Sequence, residues 1–456
     1  MLATHNDKTI YFHEIINAMS YALDLTEGQP AGHSLRSCWI GMHLGQYLNL
    51  SEQQQHDLYY TLILKDAGCS SNAARLSLLY GSDDRVVKNA FKTVDNQDQR
   101  MLAKFVIKYC GNDRSYLSKM KHIMKLVLGG GKIGSELISA RCERGASIAR
   151  KLGLSEDVAL GIYSLDEHYN GKGLSQGLKA EEIPLYSRIA LLSQVIDVFF
   201  KSSGIKTCCE QITKRSGSWF DPVLIGYFKD LQRNESFWDG LNAENLEAQM
   251  IRFQPKTLIL PLTFDLLDNV AETFGQIIDA KSPFTNGHSK RVAFYVSKLA
   301  EHTNFTVESK RLLYPAALLH DVGKLGVGNH ILDKPGSLEA HEWAVIQKHP
   351  AYTEEILSRF LPFHSLARIA AAHHERLDGT GYFKGTKGDD ITPETRLITI
   401  GDIFDALTAE RPYRGAMPVK EALKIMDDLR DTAIDSKYMD ALHDIVANEE
   451  LESRNK

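Results

Sequence analysis

A histidine and an aspartate stand side by side at His320 and Asp321, at the end of an apolar stretch, and Lys324 follows four residues after the histidine. Imidazole and carboxylate both suit first-row transition metals, and a carboxylate can bind one ion or bridge two. A single His-Asp pair is more often a surface feature at a helix end than a metal site. The pair therefore becomes informative only through the residues around it.

Further metal-binding residue types cluster near this pair. Of the 17 histidines in the chain, nine lie between residues 288 and 374, whereas histidines that only face solvent would scatter. Five histidines and two carboxylates are too many for one tetrahedral ion, but they suit two ions bridged by Asp321. Nitrogen and oxygen ligands without thiolate favour iron or manganese, with zinc as an alternative. The candidate ligands are His288, His320, Asp321, His349, His373, His374 and Asp402.

Two adjacent metal ions point to chemistry at phosphorus. Ions about 3.5–4 Å apart acidify a bound water molecule and bind both the attacking and the leaving oxygen of an in-line displacement. Lys324 is suited to place positive charge on the transition state or to protonate the leaving oxygen, although a surface lysine is the simpler alternative. We predict catalytic roles for Asp321 and Lys324.

A second group of residues could hold a phosphorylated substrate. Tyr382 follows the glycine-rich segment Asp378-Gly379-Thr380-Gly381, whose glycines permit positive φ and close backbone approach, although a structural turn is the alternative. Two arginines flank a tyrosine further on and offer phosphate contacts and an aromatic face. The predicted substrate-binding residues are Tyr382, Arg411, Tyr413 and Arg414.

The elements that must position these residues are helices. Between Val292 and Ala300 the apolar residues recur with the spacing of one helix face, and no region alternates apolar and polar residues convincingly. His288 lies one turn before Val292 and should face the same buried side. We therefore predict an all-α protein.

The two halves of the chain resemble each other. Gly32-His33-Ser34 recurs as Gly287-His288-Ser289 at an offset of 255, and Asn170-Gly171-Lys172-Gly173 matches Asp378-Gly379-Thr380-Gly381 at an offset of 208. The first half thus holds 47 additional residues between its motifs, and we expect extra helices between residues 82 and 134. Duplication predicts two tandem domains, residues 1–255 and 256–456.

The first copy lacks most of the candidate ligands. Lysine and arginine at two of the positions would repel a cation, so we expect this copy to bind no metal and to have a regulatory or structural role. At the two offsets, His320, His349, His373, His374 and Asp402 correspond to Lys65, Arg141, Leu165, Asp166 and Gln194, while His33 and Asp66 remain.

Composition limits the class of protein. A chain of 456 residues has room for two or three domains, and its net charge of −5 argues against a general nucleic-acid coat protein. The N-terminus does not resemble a signal peptide, and no apolar run approaches the roughly 18–20 residues that span a bilayer. Six cysteines without zinc-ligand spacing favour reduced thiols in a cytosolic protein. We expect a cytoplasmic protein that binds neither nucleic-acid polymers nor membranes.

The second half resembles the HD-GYP phosphodiesterases, a subclass of the HD metal-dependent phosphohydrolases that cleave cyclic dinucleotides. The resemblance covers nearly all of residues 282–420 and implies that the seven candidate ligands bind metal, that the lysine assists catalysis, and that the tyrosine and arginine positions hold the dinucleotide. The motifs that carry it include Gly287-His288-Ser289, His320-Asp321-Val322-Gly323-Lys324, His349-Pro350, His373-His374-Glu375, Asp378-Gly379-Thr380-Gly381-Tyr382, Asp402-Ile403-Phe404-Asp405 and Arg411-Pro412-Tyr413-Arg414.

Three departures from the family pattern matter. The family's closing Phe-Asp-Pro occurs in the first copy as Phe220-Asp221-Pro222 but not near the end of the second. Phe383 replaces the proline of the naming motif, which leaves loop shape and base preference open, and Phe284 replaces the glutamate of three-metal members, so we expect two metal ions. The first half resembles a degenerate copy of the same domain. The resemblance implies hydrolysis of cyclic di-GMP or 3′3′-cyclic GMP-AMP to the linear dinucleotide. A non-catalytic adaptor that binds cyclic dinucleotides and a general nucleotide phosphohydrolase are the alternatives, and a homodimer stays open.

Overall fold

The computed structural model of the chain describes residues 11–110, 116–174, 176–253, 261, 263–410 and 415–454. The chain divides into two compact units, one spanning Tyr11–Pro261 and the other containing Leu262–Lys456. This division falls a few residues after the predicted boundary at residue 255. The assignment of the two ranges to a degenerate and a catalytic domain stays a prediction.

Regular structure in the described residues is helical, and the only β-type pairings there are three isolated bridges. The prediction of an all-α protein is therefore confirmed. None of the described helices is both long and apolar enough to cross a membrane.

The first unit contains twelve α-helices within the described residues. The expectation of extra helices between residues 82 and 134 is confirmed, because α5, α6 and the start of α7 occupy this stretch. Gly204 interrupts the long α9 with a φ of 78°. The helices are α1 (Phe12–Glu27), α2 (His33–Gln46), α3 (Glu52–Leu64), α4 (Ala73–Tyr80), α5 (Asp84–Phe91), α6 (Gln99–Tyr109), α7 (Tyr116–Lys151), α8 (Glu156–Tyr163), α9 (Leu185–Lys214), α10 (Pro222–Leu231), α11 (Glu235–Asn242) and α12 (Leu246–Met250).

The second unit contains ten α-helices within the described residues. The predicted apolar face of α14 is buried, since Val292, Val296 and Leu299 have no exposed surface. The helices are α13 (Phe264–Asp279), α14 (His288–His302), α15 (Val307–Leu319), α16 (Asn329–Leu332), α17 (Ala340–Ile346), α18 (His349–Ser358), α19 (His364–Ala371), α20 (Pro393–Thr408), α21 (Val419–Asp427) and α22 (Ser436–Arg454). A 3-10 helix, Val322–Gly326, follows α15.

The same local contacts recur in both units, in agreement with the predicted duplication. In each unit, a serine at the start of the second helix donates to an aspartate near the end of the first helix. The Oγ–Oδ1 distance is 2.7 Å in both units. An arginine further on pairs with an aspartate at 2.6 Å. The pairs are Ser34–Asp24 and Ser289–Asp279, then Arg188–Asp221 and Arg396–Asp435.

Candidate metal centre

Helix ends bring the predicted ligands of the second unit together. His288 is the first residue of α14, His320 follows α15, His349 is the first residue of α18, and His373 and His374 follow α19. Asp402 lies inside α20. The apolar faces of these helices pack on one core. Their ends therefore meet, and the polar residues at those ends point into one shared site.

Gly323 allows two of these helix ends to meet. A Cβ atom at this position would lie 1.9 Å from the carbonyl oxygen of His349, which no side chain can tolerate. Its backbone N–H also donates to Thr353 Oγ1 at 3.0 Å. The glycine after the His-Asp pair therefore seats the start of α18 directly against Asp321.

Asp321 lies between two pairs of histidines and turns one carboxylate oxygen to each pair. Its Oδ2 atom is 3.4 Å from Nε2 of His288 and 3.4 Å from Nε2 of His320. Its Oδ1 atom is 3.3 Å from Nε2 of His349 and 3.6 Å from Nε2 of His373. This is the arrangement that a carboxylate needs to bridge two metal ions.

The two remaining candidate ligands, Asp402 and His374, lie on opposite sides of Asp321. Asp402 is near His288 and His320, and His374 is near His349 and His373. Asp402 Oδ1 lies 3.4 Å from Nε2 of His288 and 3.8 Å from Nε2 of His320. The ring of His374 has its centroid 4.0 Å from that of His373 and 5.0 Å from that of His349. Three overlapping groups have ligand atoms within 4.8 Å of one another: His349, His373 and His374; His288, His320 and Asp321; His320, His373 and Asp402.

Backbone carbonyls orient three of the histidines. Nδ1 donates to the carbonyl oxygen three residues earlier at 2.7 Å in His320, 2.8 Å in His349 and 2.7 Å in His373. A neutral imidazole that donates through Nδ1 carries its lone pair on Nε2, which then points into the centre. His288 is oriented differently, because its Nδ1 contacts Asp405 Oδ2 at 2.7 Å.

The buried atoms of the centre are suited to a cation. Nε2 of His288, Nε2 of His320 and Oδ1 of Asp321 are buried without a hydrogen-bond partner, which is costly unless another group satisfies them. Nε2 of His349 and Nε2 of His373 lie 3.3 Å apart, although both rings donate through Nδ1. Two facing lone pairs repel each other, and a metal ion between them would turn this repulsion into coordination.

The two sides of the centre differ in proton affinity. Burial opposes protonation of His320, yet the neighbouring Asp321 and Asp402 raise its pKa to about 9. The pKa of His288 is likewise raised, against burial, by its contacts with these two carboxylates. Burial lowers the pKa of His349 to about 4. The carboxylate-rich side therefore attracts positive charge strongly, and a divalent ion would replace protons there.

Lys324 reaches the bridging carboxylate. Its Nζ lies 2.5 Å from Asp321 Oδ2, and its side chain remains 20 % exposed. Burial would raise the pKa of Asp321, but the charges of Lys324 and His320 hold it well below its usual range. The ammonium thus stands at the edge of the centre with part of its surface open.

Tyr382 lies beside the centre, as predicted for a substrate-binding residue. Its ring stacks on His374 with centroids 4.6 Å apart and an interplanar angle of 30°. Trp343 of α17 packs edge-on against Tyr382 at 6.0 Å and is 46 % exposed, which the sequence interpretation did not anticipate. The other three predicted substrate contacts, Arg411, Tyr413 and Arg414, lie outside the described residues.

The equivalent place in the first unit holds ammonium groups. Lys65, at the position of His320, donates through Nζ to Asp66 Oδ2. Lys92 Nζ lies 3.2 Å from Asp66 Oδ1 and 2.8 Å from Glu27 Oε2. Glu27 and Asp66 also form a candidate ligand group with Cys69, but the Lys92 ammonium already sits between the two carboxylates. The absence of metal from this unit stays a prediction, which these lysines favour.

The chain is similar to known phosphodiesterases over most of its length. The HD domain family model matches residues 121–224 and 272–438. The 3′3′-cGAMP-specific phosphodiesterase 3 of Vibrio cholerae is 49 % identical over 434 residues, which cover 95 % of this chain and 94 % of that protein. A cyclic di-GMP phosphodiesterase response regulator of Xanthomonas campestris is 36 % identical over 169 residues, covering 36 % of this chain and 44 % of that protein. The crystal structure of a cyclic GMP-AMP specific phosphodiesterase of V. cholerae matches with a TM-score of 0.66 and 44 % identity, covering 96 % of this chain and 98 % of that one.

Proposed function

This chain belongs to the HD domain family, as an HD-GYP phosphodiesterase that acts on cyclic dinucleotides, and we propose that 3′3′-cyclic GMP-AMP is its preferred substrate. The preference is supported by the extent of similarity. The relative specific for cyclic GMP-AMP aligns over 95 % of this chain, whereas the Xanthomonas relative that acts on cyclic di-GMP aligns over 36 %. The product of the reaction is the linear dinucleotide.

The observation that carries the proposed site is the position of Asp321, with its two oxygens toward two different histidine pairs. We assign one divalent ion to His288, His320, Asp321 and Asp402, and a second to Asp321, His349, His373 and His374. The donor set favours iron or manganese, with zinc as the alternative. Bound there, the ions supply an acidified water and positive charge at the scissile phosphate.

The position of Lys324 supports a role in binding the phosphate or in protonating the leaving oxygen. Hydrolysis forms a bond from a water oxygen to phosphorus and breaks the bond from phosphorus to the 3′ oxygen, which must gain a proton. An ammonium carries three N–H donors, and only one is used by Asp321. The others are free to bind a phosphate oxygen or to donate to the departing 3′ oxygen.

Among the described residues, Tyr382 and Trp343 supply the aromatic surface that supports a base-binding role. Tyr382 is fixed by stacking on His374, and Trp343 extends the aromatic surface outward. Stacking on such rings tolerates either purine, so it contributes affinity more than discrimination. We propose that one base of the dinucleotide lies on this pair. Base and phosphate contacts through Arg411, Tyr413 and Arg414 stay predictions.

A direct assay tests the proposal. The purified chain, loaded with iron or manganese, is incubated with 3′3′-cyclic GMP-AMP, cyclic di-GMP and a simple phosphodiester, and linear products are quantified. We expect about two ions per chain and a higher kcat/KM for cyclic GMP-AMP. The double variant His320→Ala, Asp321→Ala should lose turnover and bound metal while keeping its helical content. A higher kcat/KM for cyclic di-GMP would overturn the preference, and tight binding without product would revive the adaptor alternative.

Two further assignments go with this function. We place the enzyme in the cytoplasm, which fits six cysteines that form no disulfide bond with one another. A homodimer stays a prediction, and sedimentation of the purified chain measures it.

A further inference from the structure

The first unit contains a partly open cavity of about 480 Å³ beside the residues that correspond to the candidate metal ligands of the second unit. This volume lies within the range of about 300–1,000 Å³ that small-molecule sites occupy. Most of the wall surface is apolar, and helices α5, α6 and α7, which belong to the 47 additional residues or border them, supply one side of it. The extra helices of this copy therefore enclose a space where the other copy has its catalytic centre.

The cavity is built around the positions of the lost ligands. Arg141 and Asp166, which correspond to His349 and His374, line it and form an ion pair with each other. Lys92, also in the wall, is held by Glu27 and Asp66. These charges are neutralised within the protein, so neither Arg141 nor Lys92 is available to pair with a buried anion.

Two amide oxygens in the wall lack partners. Gln194, at the position of Asp402, is only 5 % exposed, and its Oε1 atom is buried without a hydrogen-bond partner. Oδ1 of Asn96 is buried and unpartnered in the same wall. Each such oxygen costs stability unless it accepts a hydrogen bond. A ligand that satisfies them must carry hydrogen-bond donors, N–H or O–H, on an otherwise apolar body, and an ionised fatty acid has neither.

The other walls suit a flat heterocycle. His168 and Trp219 both line the cavity, with their rings stacked at 4.1 Å and an interplanar angle of 26°. Burial lowers the pKa of His168 to about 4, so the ring is neutral at physiological pH. Lys172 is exposed at the same cavity and offers a cation to a group that remains in solvent.

We infer that the first unit binds a purine base in this cavity, as a nucleoside or its monophosphate, with base N–H groups donating to Gln194 and Asn96. The aliphatic and aromatic walls cover the faces of the base. A phosphate, where present, lies toward Lys172. The site is distinct from the catalytic centre and does not require turnover.

Calorimetric titration of the full chain tests the inference. The protein, stripped of metal by chelation, is titrated with guanosine, adenosine and their 5′-monophosphates. We expect at least one of the four to bind with one site per chain, and tighter binding of the monophosphate would assign the phosphate to Lys172. Gln194→Leu should weaken binding by about ten-fold or more, because it removes a buried acceptor. Asn96→Leu should weaken binding to a similar degree. It replaces Gln194→Leu as the test if that variant does not fold.

The chain offers a matched control. Gln232 is a second glutamine of the first unit with a buried, unpartnered Oε1, and it does not line the cavity. Gln232→Leu should leave the affinity unchanged, and so should Tyr382→Ala in the second unit. The inference is wrong if none of the four compounds binds at millimolar concentration, if both cavity variants bind as the wild type does, or if only Tyr382→Ala abolishes binding.

Discussion

Asp405 fixes the orientation of His288. Its Oδ2 atom lies 2.7 Å from Nδ1 of the histidine, so that Nε2 faces Asp321 and Asp402. Arg291 holds the same carboxylate through its Nε at 2.5 Å. His33 and Asp197 repeat this pair in the first unit with a distance of 2.6 Å, although Lys65 stands there at the position of the candidate ligand His320. The pair is thus part of the framework in both units, and under the proposed assignment it orients a metal ligand only in the second.

Asp405→Asn should weaken metal binding by about 10–100-fold, because carboxylates behind ligating histidines tune affinity by that amount. Metal content after dialysis against graded chelator measures the effect, together with kcat at saturating metal, which should recover. Asp197→Asn is the matched control and should leave metal content unchanged. Equal metal affinity in Asp405→Asn and the wild type would reduce Asp405 to a packing residue.

Lys324→Ala should retain both metal ions and lower kcat by on the order of 10²–10³, because it removes a directed donor of positive charge. Metal analysis and steady-state kinetics on the same preparation separate binding from chemistry. Lys384→Ala, which removes a more exposed lysine paired with Glu354, provides the comparison. An unchanged kcat in Lys324→Ala would contradict the catalytic assignment.

Trp343→Ala should raise KM for the cyclic dinucleotide about five-fold or more with little change in kcat, since base stacking contributes roughly 1–3 kcal/mol. Trp343→Phe should recover most of the affinity. Phe294 on α14 is exposed to a similar degree, 45 %, and Phe294→Ala should leave KM as in the wild type. A fall in kcat with constant KM would mean that Trp343 acts on the chemical step instead.

Phe383 has a φ of 105°, which a proline ring cannot adopt. Installing the proline of the family motif, Phe383→Pro, should therefore reshape the loop, displace Tyr382 and raise KM, because a proline also restricts the residue before it. Phe383→Gly should keep the loop, with a Tm equal to or above that of the wild type, since glycine adopts positive φ without strain. Unchanged kinetics in Phe383→Pro would show that the loop tolerates both shapes.

Much of the candidate metal centre was predictable because the proposed ligands are histidines and aspartates that cluster in short motifs. His288, His320 and Asp402 are separated by up to 114 residues, yet each belongs to a recognisable short motif. The helical fold followed from periodicity, which burial of one face enforces locally. The lysine-for-histidine exchange at residue 65 was also visible once the two halves were aligned.

Other features of the two units depend on tertiary contacts that no local sequence pattern predicts. Trp343 lies 39 residues before Tyr382, and a tryptophan in a short helix is typical of a core residue as much as of a substrate platform. The left-handed backbone of Phe383 contradicts the preference of its residue type. The cavity of the first unit arises from helices without any motif, so only their packing reveals it.

The Lys65 ammonium gives the first unit a counter-charge that is part of the polypeptide. Its contact with Asp66 forms during folding and needs nothing from the surroundings. Under the proposed assignment, scarcity of the metal would empty the second unit, whereas the first would keep its ammonium groups. A shortage of that metal would thus stop hydrolysis of the cyclic dinucleotide without removing the cavity of the first unit.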